Sequence, residues 1–258
     1  MMNTHQRLFT AFLLGSLFLF MVAPARGQAG ENGITVRPEA GLSFMVGVPQ
    51  GAFSSNVSDP GFGLDLYGGL GLAPSPFALG LDIGFLVYGR DVRNVPFSST
   101  VGPAVTVDVV TKNNIAQSHL ILRLQPQSGT VRPYVDGRFG FKYLFTETRV
   151  RDERNFDNED IASSNNFDDF ALSYGAGAGV AIRLLRPQTE PAEPGAPSIG
   201  TVELVIGAKY VLGSEADYLR EGPIEDRNEN GRLDQSELDI ARSRTTLLEP
   251  HLGVQVRF

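Results

Sequence analysis

The 258-residue chain has no cysteine and no tryptophan, and only three histidines. Without cysteine there is neither a lipid-attachment thiol nor a disulfide framework, so neither a lipoprotein anchor nor a disulfide-stapled scaffold is expected. Beyond the N-terminus no apolar run approaches the length of a membrane-spanning helix, and any insertion into a bilayer must therefore use strands. A formal charge of −7 offers none of the basic patches that a nucleic-acid partner requires. No repeat of roughly 20 to 50 residues and no low-complexity tract interrupts the chain, which reads as one domain.

Residues 1–29 have the layout of a secretory signal: a weakly basic start at Arg7, an apolar run from Leu8 to Val22, and small-residue cleavage options at Ala25 and Ala29. A run of roughly 15 apolar residues falls short of the about 20 that span a bilayer, so removal is expected and the mature chain starts near Gly30.

From there the dominant pattern is period two. In the last segment Leu252, Val254, Val256 and Phe258 lie on one face, and His251, Gly253, Gln255 and Arg257 on the other. Eight segments alternate in this way: Val36–Val48, Phe62–Leu72, Phe77–Tyr88, Ile115–Gln125, Arg132–Thr148, Phe170–Leu184, Thr201–Leu212 and Thr246–Phe258. Turn-forming Gly, Pro, Asn, Asp and Ser separate them. Breaks after the second and fourth are short, whereas those after the first, third, fifth and seventh are long and polar, which places both termini on one side. The proline-rich stretch Pro187–Gly200 is long for a turn on that side. Between Asp91 and Asn114 the pattern reads as the fourth strand extending beyond a bilayer, with an extra hairpin at Lys112–Asn114 as the alternative.

Parity assigns an outward set of Phe44, Val46, Leu64, Leu66, Leu79, Leu81, Ile83, Phe85, Leu120, Leu122, Val135, Phe139, Phe141, Val180, Ile182, Leu204, Ile206 and Val254. The inward set holds Arg37, Glu39, Asp65, Asp82, Arg123, Asp136, Arg138, Lys142, Arg183, Glu203, Lys209, Glu249 and Arg257, seven basic groups against six acidic. An apolar face outside and a charged face inside predict an all-β fold, an eight-stranded antiparallel transmembrane up-and-down β-barrel, with residues 30–258 as the barrel domain. Mixed signs in so narrow a lumen predict paired charges instead of a channel. Inward glycines, among them Gly41, Gly69, Gly80 and Gly177, make room for long neighbours, and Gly175, Gly177 and Gly179 are no phosphate loop.

The signal, the eight alternating strands, the long external loops and the aromatic at Phe258 together resemble the small outer-membrane β-barrel family of OmpA and OmpX type. The resemblance implies the outer membrane of a Gram-negative-type bacterium, contact with outer-membrane lipid, and a last strand ending in Phe258 as the tag read by the barrel-assembly machinery. Two features depart from that family: with no tryptophan, the interfacial aromatic girdles are expected from Tyr and Phe such as Tyr143 and Tyr210, and no peptidoglycan-binding domain is expected after the barrel.

The sharpest local motif lies in a long external loop spanning residues 214–244. Asp226, Asn228, Asn230, Arg232, Asp234 and Glu237, with Gly231 at the sharp turn, match the EF-hand loop pattern at every constrained position over 226–237. Asp226, Asn228 and Asn230 offer side-chain oxygens, Arg232 its carbonyl, Asp234 a direct or water-bridged oxygen and Glu237 two, so Ca2+ is the expected cofactor. Gly222 and Pro223 preclude an entering helix, while Glu237–Arg244 has room for only a short exiting one. The loop carrying Asp152, Glu153, Asp157, Glu159, Asp160, Asp168 and Asp169 is acidic without ligand spacing.

The expected function is a non-enzymatic outer-membrane barrel with an envelope structural or surface-interaction role. The alternatives are a lipid- or peptide-hydrolysing barrel enzyme, a surface adhesin, or a soluble lipocalin-like carrier. Against an enzyme, both mature histidines, His119 and His251, point inward, and Ser118 faces away from His119. A carrier would place apolar side chains inside.

Overall fold

A computed structural model describes residues 35–96, 106–152, 160–185, 200–220 and 239–258. Ten strands are found among them: β1 Thr35–Pro49, β2 Gly61–Ala73, β3 Phe77–Pro96, β4 Thr106–Leu124, β5 Val131–Asp152, β6 Asp160–Leu185, β7 Thr201–Gly213, β8 Glu215–Leu219, β9 Ile240–Arg244 and β10 Leu247–Arg257. Eight of them close in the order β1-β10-β7-β6-β5-β4-β3-β2, and β8 and β9 form a separate two-stranded sheet. Every pairing is antiparallel, with Leu42 opposite Val254 on one side and Leu66 on the other where β1 closes the cylinder. The chain is thus an eight-stranded antiparallel up-and-down barrel, the expected class.

One end of the cylinder carries the two tight turns β2–β3 and β4–β5 together with the longer β6–β7 connection, and the other carries the remaining connections. At the turn end Gln125 N–H donates to Pro76 O at 2.8 Å and the Gln127 amide to Ser75 O at 2.7 Å, tying neighbouring turns together. At the loop end β3, β4, β5 and β6 run on past their neighbours, reaching 20, 19, 22 and 26 residues against 13 for β2. The region between Asp91 and Asn114 resolves accordingly. Arg90 pairs with Lys112 and Pro96 with Thr106, so the strands lengthen and no extra hairpin turns at Lys112–Asn114.

One expectation about the 214–244 stretch changes. The exiting helix over Glu237–Arg244 is not formed in its described part, because Ile240–Arg244 is strand β9, paired with β8 from Leu219↔Ile240 to Glu215↔Arg244. The physical reason is again period two: Ala216 and Tyr218 on β8 and Ala241 and Ser243 on β9 are buried on one face, and a helix would scatter them.

Candidate functional site

Outward positions form a continuous apolar wall. Leu120, Leu122, Val135, Phe139, Leu172, Leu64 and Leu252 are all more than half exposed, the reverse of a water-soluble surface. The 11 residues of β10, at about 3.4 Å each and a tilt of about 40°, rise roughly 28 Å, the height of a bilayer's hydrocarbon core. Near the loop end the wall turns aromatic: Tyr143 lies 4.6 Å from Phe170 and 5.2 Å from Phe145, centre to centre, and Phe85 lies 6.2 Å from Phe145. Tyr143 donates its hydroxyl to Asp168 at 3.0 Å, an apolar body with a polar tip at the upper border. Tyr210 is likewise exposed on the wall.

The lumen is filled in tiers. Its buried charges are six acids (Glu39, Asp65, Asp82, Asp136, Glu203, Glu249) and six bases (Arg123, Arg132, Arg138, Lys142, Lys209, Arg257). At the turn end Arg132 pairs with Glu203, and Arg257 with Glu39 at 2.8 Å. In the middle an unbroken relay crosses five strands: Asp65 to Lys209, Lys209 to Asp82 at 2.9 Å, Asp82 to Arg138 at 2.9 Å, Arg138 to Asp136 at 2.9 Å and Asp136 to Arg123 at 3.1 Å. The Arg123 guanidinium is also sandwiched between the rings of Tyr67 and Tyr134, at 4.4 and 4.2 Å. Gly80 makes the sandwich possible, since a Cβ there would lie 2.7 Å from the Tyr67 ring. At so small a separation and so little solvent, each pair is worth keeping only as a whole, because removing one partner strands the other.

Towards the loop end the inward face becomes apolar. Met45, Leu86, Tyr88, Ile115, Leu144, Ala171 and Leu247 of the wall form one buried cluster with Phe53 and Val57 from the connection between β1 and β2, Ala216 and Tyr218 of β8, and Ala241 of β9. Phe53 meets Tyr218 edge-on at 5.0 Å and Tyr88 at 5.8 Å. The Asn56 amide donates to the Tyr218 hydroxyl at 2.9 Å.

Parity locates eleven of the thirteen expected inward charges in the buried lumen. Arg37 and Arg183 depart: Arg37 is exposed, and Arg183 is half-buried with its Nη2 on Gly129 O at 2.6 Å, because both stand at the turn-end rim where the wall stops. Missing from the expected inward residues are Arg132, which sits at a strand start yet is buried, and the neutral partners Tyr67, Tyr134, Gln117 and Ser173. All share the inward parity, which the sequence reading applies to charges, glycines, the two histidines and Gln255. The same omission hides the apolar upper tier.

His119 accepts or donates at 2.9 Å with Ser173 Oγ, and His251 at 2.9 Å with the Tyr134 hydroxyl. Asp82 stands opposite His119 in register, but its carboxylate is engaged by Arg138 and Lys209, and His119 Nδ1 has no hydrogen-bond partner among the described residues. An oriented Ser-His-Asp relay is therefore not assembled, and the pair is sealed from both ends.

The calcium-loop residues Asp226, Asn228, Asn230, Arg232, Asp234 and Glu237 lie outside the described residues, as do residues 1–34. Among the described residues no group of three or more acidic or histidine side chains could hold a metal. What is described is the base of that loop, where Arg220 N–H donates to Asp239 O at 3.1 Å and closes the β8–β9 ladder.

A closed cylinder with an apolar outside and an ion-paired inside defines a transmembrane β-barrel. No protein-family model matches the chain, and comparison with curated proteins finds no relative. Among solved structures it is similar to Neisserial surface protein A (NspA), at 12% identity and a TM-score of 0.33 over 87% of this chain and 97% of that one. It is also similar to a major outer membrane protein from Thermus thermophilus, at 18% identity and a TM-score of 0.41 over 86% of this chain and 99% of that one.

Proposed function

We propose that the chain is a non-enzymatic outer-membrane barrel of a Gram-negative-type bacterium, exported by its N-terminal signal, with an envelope structural or surface-interaction role. The observation that supports it best is the pairing of a lipid-height apolar wall with a lumen closed by ion pairs at the turn end and apolar packing at the loop end. Among the described residues the lumen assembles no Ser-His-Asp relay, and its paired charges and apolar packing leave no open path for solutes. Kinship with OmpA- and OmpX-type barrels rests on the same architecture. Within this reading Phe258, exposed on the wall and donating its N–H to Pro38 O at 3.0 Å, is the aromatic read by the barrel-assembly machinery. Membrane fractionation with heat-modifiable gel mobility tests the assignment, and recovery of the chain in a detergent-free soluble fraction refutes it.

Calcium belongs to the same proposal. The 226–237 motif supplies the ligand set of an EF-hand loop, and a site outside the cell needs only about 10⁻⁴ to 10⁻³ M affinity. Asp226, Asn228, Asn230, Arg232, Asp234 and Glu237 bind one ion, with Glu237 bidentate. Titration calorimetry should show one calcium per chain, lost in Glu237→Gln. No calcium-dependent heat at millimolar ion, or an unchanged signal in the variant, refutes this part alone.

A further inference from the structure

We propose that Arg90 and Lys112 form a docking point on the outer wall for the phosphate of an anionic lipid headgroup, an inference that rests on the reading of the chain as an outer-membrane barrel.

The depth of the pair follows from β3. Its outward run from Phe77 to Val87 is wholly apolar, and at about 3.4 Å per residue and a tilt of about 40° it rises roughly 26 Å, close to the height of a hydrocarbon core. Past the irregularity between Val87 and Gly89, the next outward residue is Arg90, exposed and directly opposite Lys112 of β4. Lys112 is half-buried and faces outward, because its neighbour Asn113 is turned into the lumen, where it accepts the Thr146 hydroxyl at 2.7 Å. Below the two cations the rings of Phe85 and Phe145 meet across β4 at 6.2 Å. The pair thus stands where the apolar wall gives way to the headgroup layer.

Like charges directly opposite each other on one face of a sheet repel, and an anion between them turns the repulsion into attraction. The described carboxylates nearby do not take that place. Glu147, opposite Lys112 on β5, and Asp59, just before β2, make no ion pair with either cation, and Asp168 accepts the Tyr143 hydroxyl at 3.0 Å. Asp91 stands at a register position of the opposite parity, across from Thr111. An anion reaching the pair from the lipid side meets a planar guanidinium fork and an ammonium together, which is the donor set of a phosphate. A lipid brings that phosphate with acyl chains that cover the apolar rows below, whereas a free anion brings the charge alone.

Because the chain has no tryptophan, a single one reports on the lipid beside it. Phe85→Trp places a reporter under the pair, and Tyr210→Trp places one on β7, across the barrel from β3. Each protein is folded into phosphatidylcholine vesicles containing either phosphatidylglycerol or phosphatidylcholine brominated in its acyl chains, and the relative association of the two lipids is read from quenching. Phosphatidylglycerol should be preferred about fivefold at the Phe85→Trp reporter and not at the Tyr210→Trp reporter. Adding Arg90→Gln/Lys112→Gln should abolish the preference, whereas Arg242→Gln/Arg244→Gln, which removes the same charge from β9, should leave it. Equal association at the two reporters, a preference that survives Arg90→Gln/Lys112→Gln, or one lost equally in the β9 variant overturns the proposal while leaving the barrel assignment intact. Replacing chloride by inorganic phosphate at equal ionic strength should leave the preference unchanged, and its loss there would make the occupant a free anion and overturn the lipid assignment. Absence of quenching at both reporters by either lipid refutes the barrel assignment and this inference with it. Should the Arg90→Gln/Lys112→Gln variant fail its heat-modifiability check, salt decides in the Phe85→Trp protein: the preference should fall severalfold as ionic strength rises from about 0.05 to 0.5 M, and a salt-independent preference overturns the proposal.

Discussion

The two halves of the lumen are closed by opposite chemistries. The turn-end half is filled by long charged and aromatic side chains of the wall itself, bonded into pairs and a relay from Asp65 to Arg123. The loop-end half is filled by apolar side chains, several of them on connections that are not part of the wall. The first kind of filling is directional and cannot be changed one residue at a time without stranding a charge. The second is non-directional, so the two differ in which perturbations they tolerate and in how far a local loss spreads.

The comparison breaks most readily in the relay. Asp82→Ala removes the carboxylate shared by Arg138 and Lys209 and should cost about 3–5 kcal/mol, read by urea unfolding in lipid vesicles. Replacing Arg132 and Glu203 together by Met and Leu should cost far less than either single replacement, since no unpaired charge remains. Next comes the apolar filling: Phe53→Ala should cost about 2 kcal/mol or less, below the usual loss for a buried Phe, because Phe53 stands on a connection and not on the wall. Its extra hydrogen exchange should be confined to residues 50–60, β8 and β9. If that exchange spreads down β2 and β3, the 50–60 connection is part of the barrel's cooperative unit. Tyr67→Leu should cost about 0.5–2 kcal/mol, the value of one face of the arginine sandwich. Smallest is Arg242→Ala, whose pairs with Glu215 and Asp217 are exposed, at under about 0.5 kcal/mol and vanishing with salt.

How much of this is legible in the sequence follows the same division. Period two is a property of each strand alone, so it puts wall residues such as Leu122, Phe139 and Val254 and lumen charges such as Asp82 and Lys209 on the right faces. Who pairs with whom depends on register and on the shear of a closed cylinder. The pairing of Asp82 with Arg138 and Lys209, residues far apart in the chain, cannot be read from spacing. The rim residues Arg37 and Arg183 fail for a related reason, because parity gives a side and not a depth. Phe53 and Val57 sit in a connection with no period at all, and nothing local marks them as lumen-filling. Strand β9 is hidden by its length: five residues beside a calcium-loop motif carry too little alternation to outweigh the helix that such a motif suggests.

An outer wall that meets lipid around a filled lumen can be tested directly by single-cysteine substitution, because the chain has no cysteine of its own. Cysteines placed at Leu122, Phe139 and Val254 on the wall and at Gln117, Ser173 and Met45 in the lumen should all resist a membrane-impermeant maleimide in the folded, vesicle-inserted protein. Fluorophores attached before folding at the three wall sites should be quenched by brominated acyl chains. Rapid labelling of the lumen cysteines by the impermeant reagent, or wall fluorophores untouched by the lipid quencher, would contradict it.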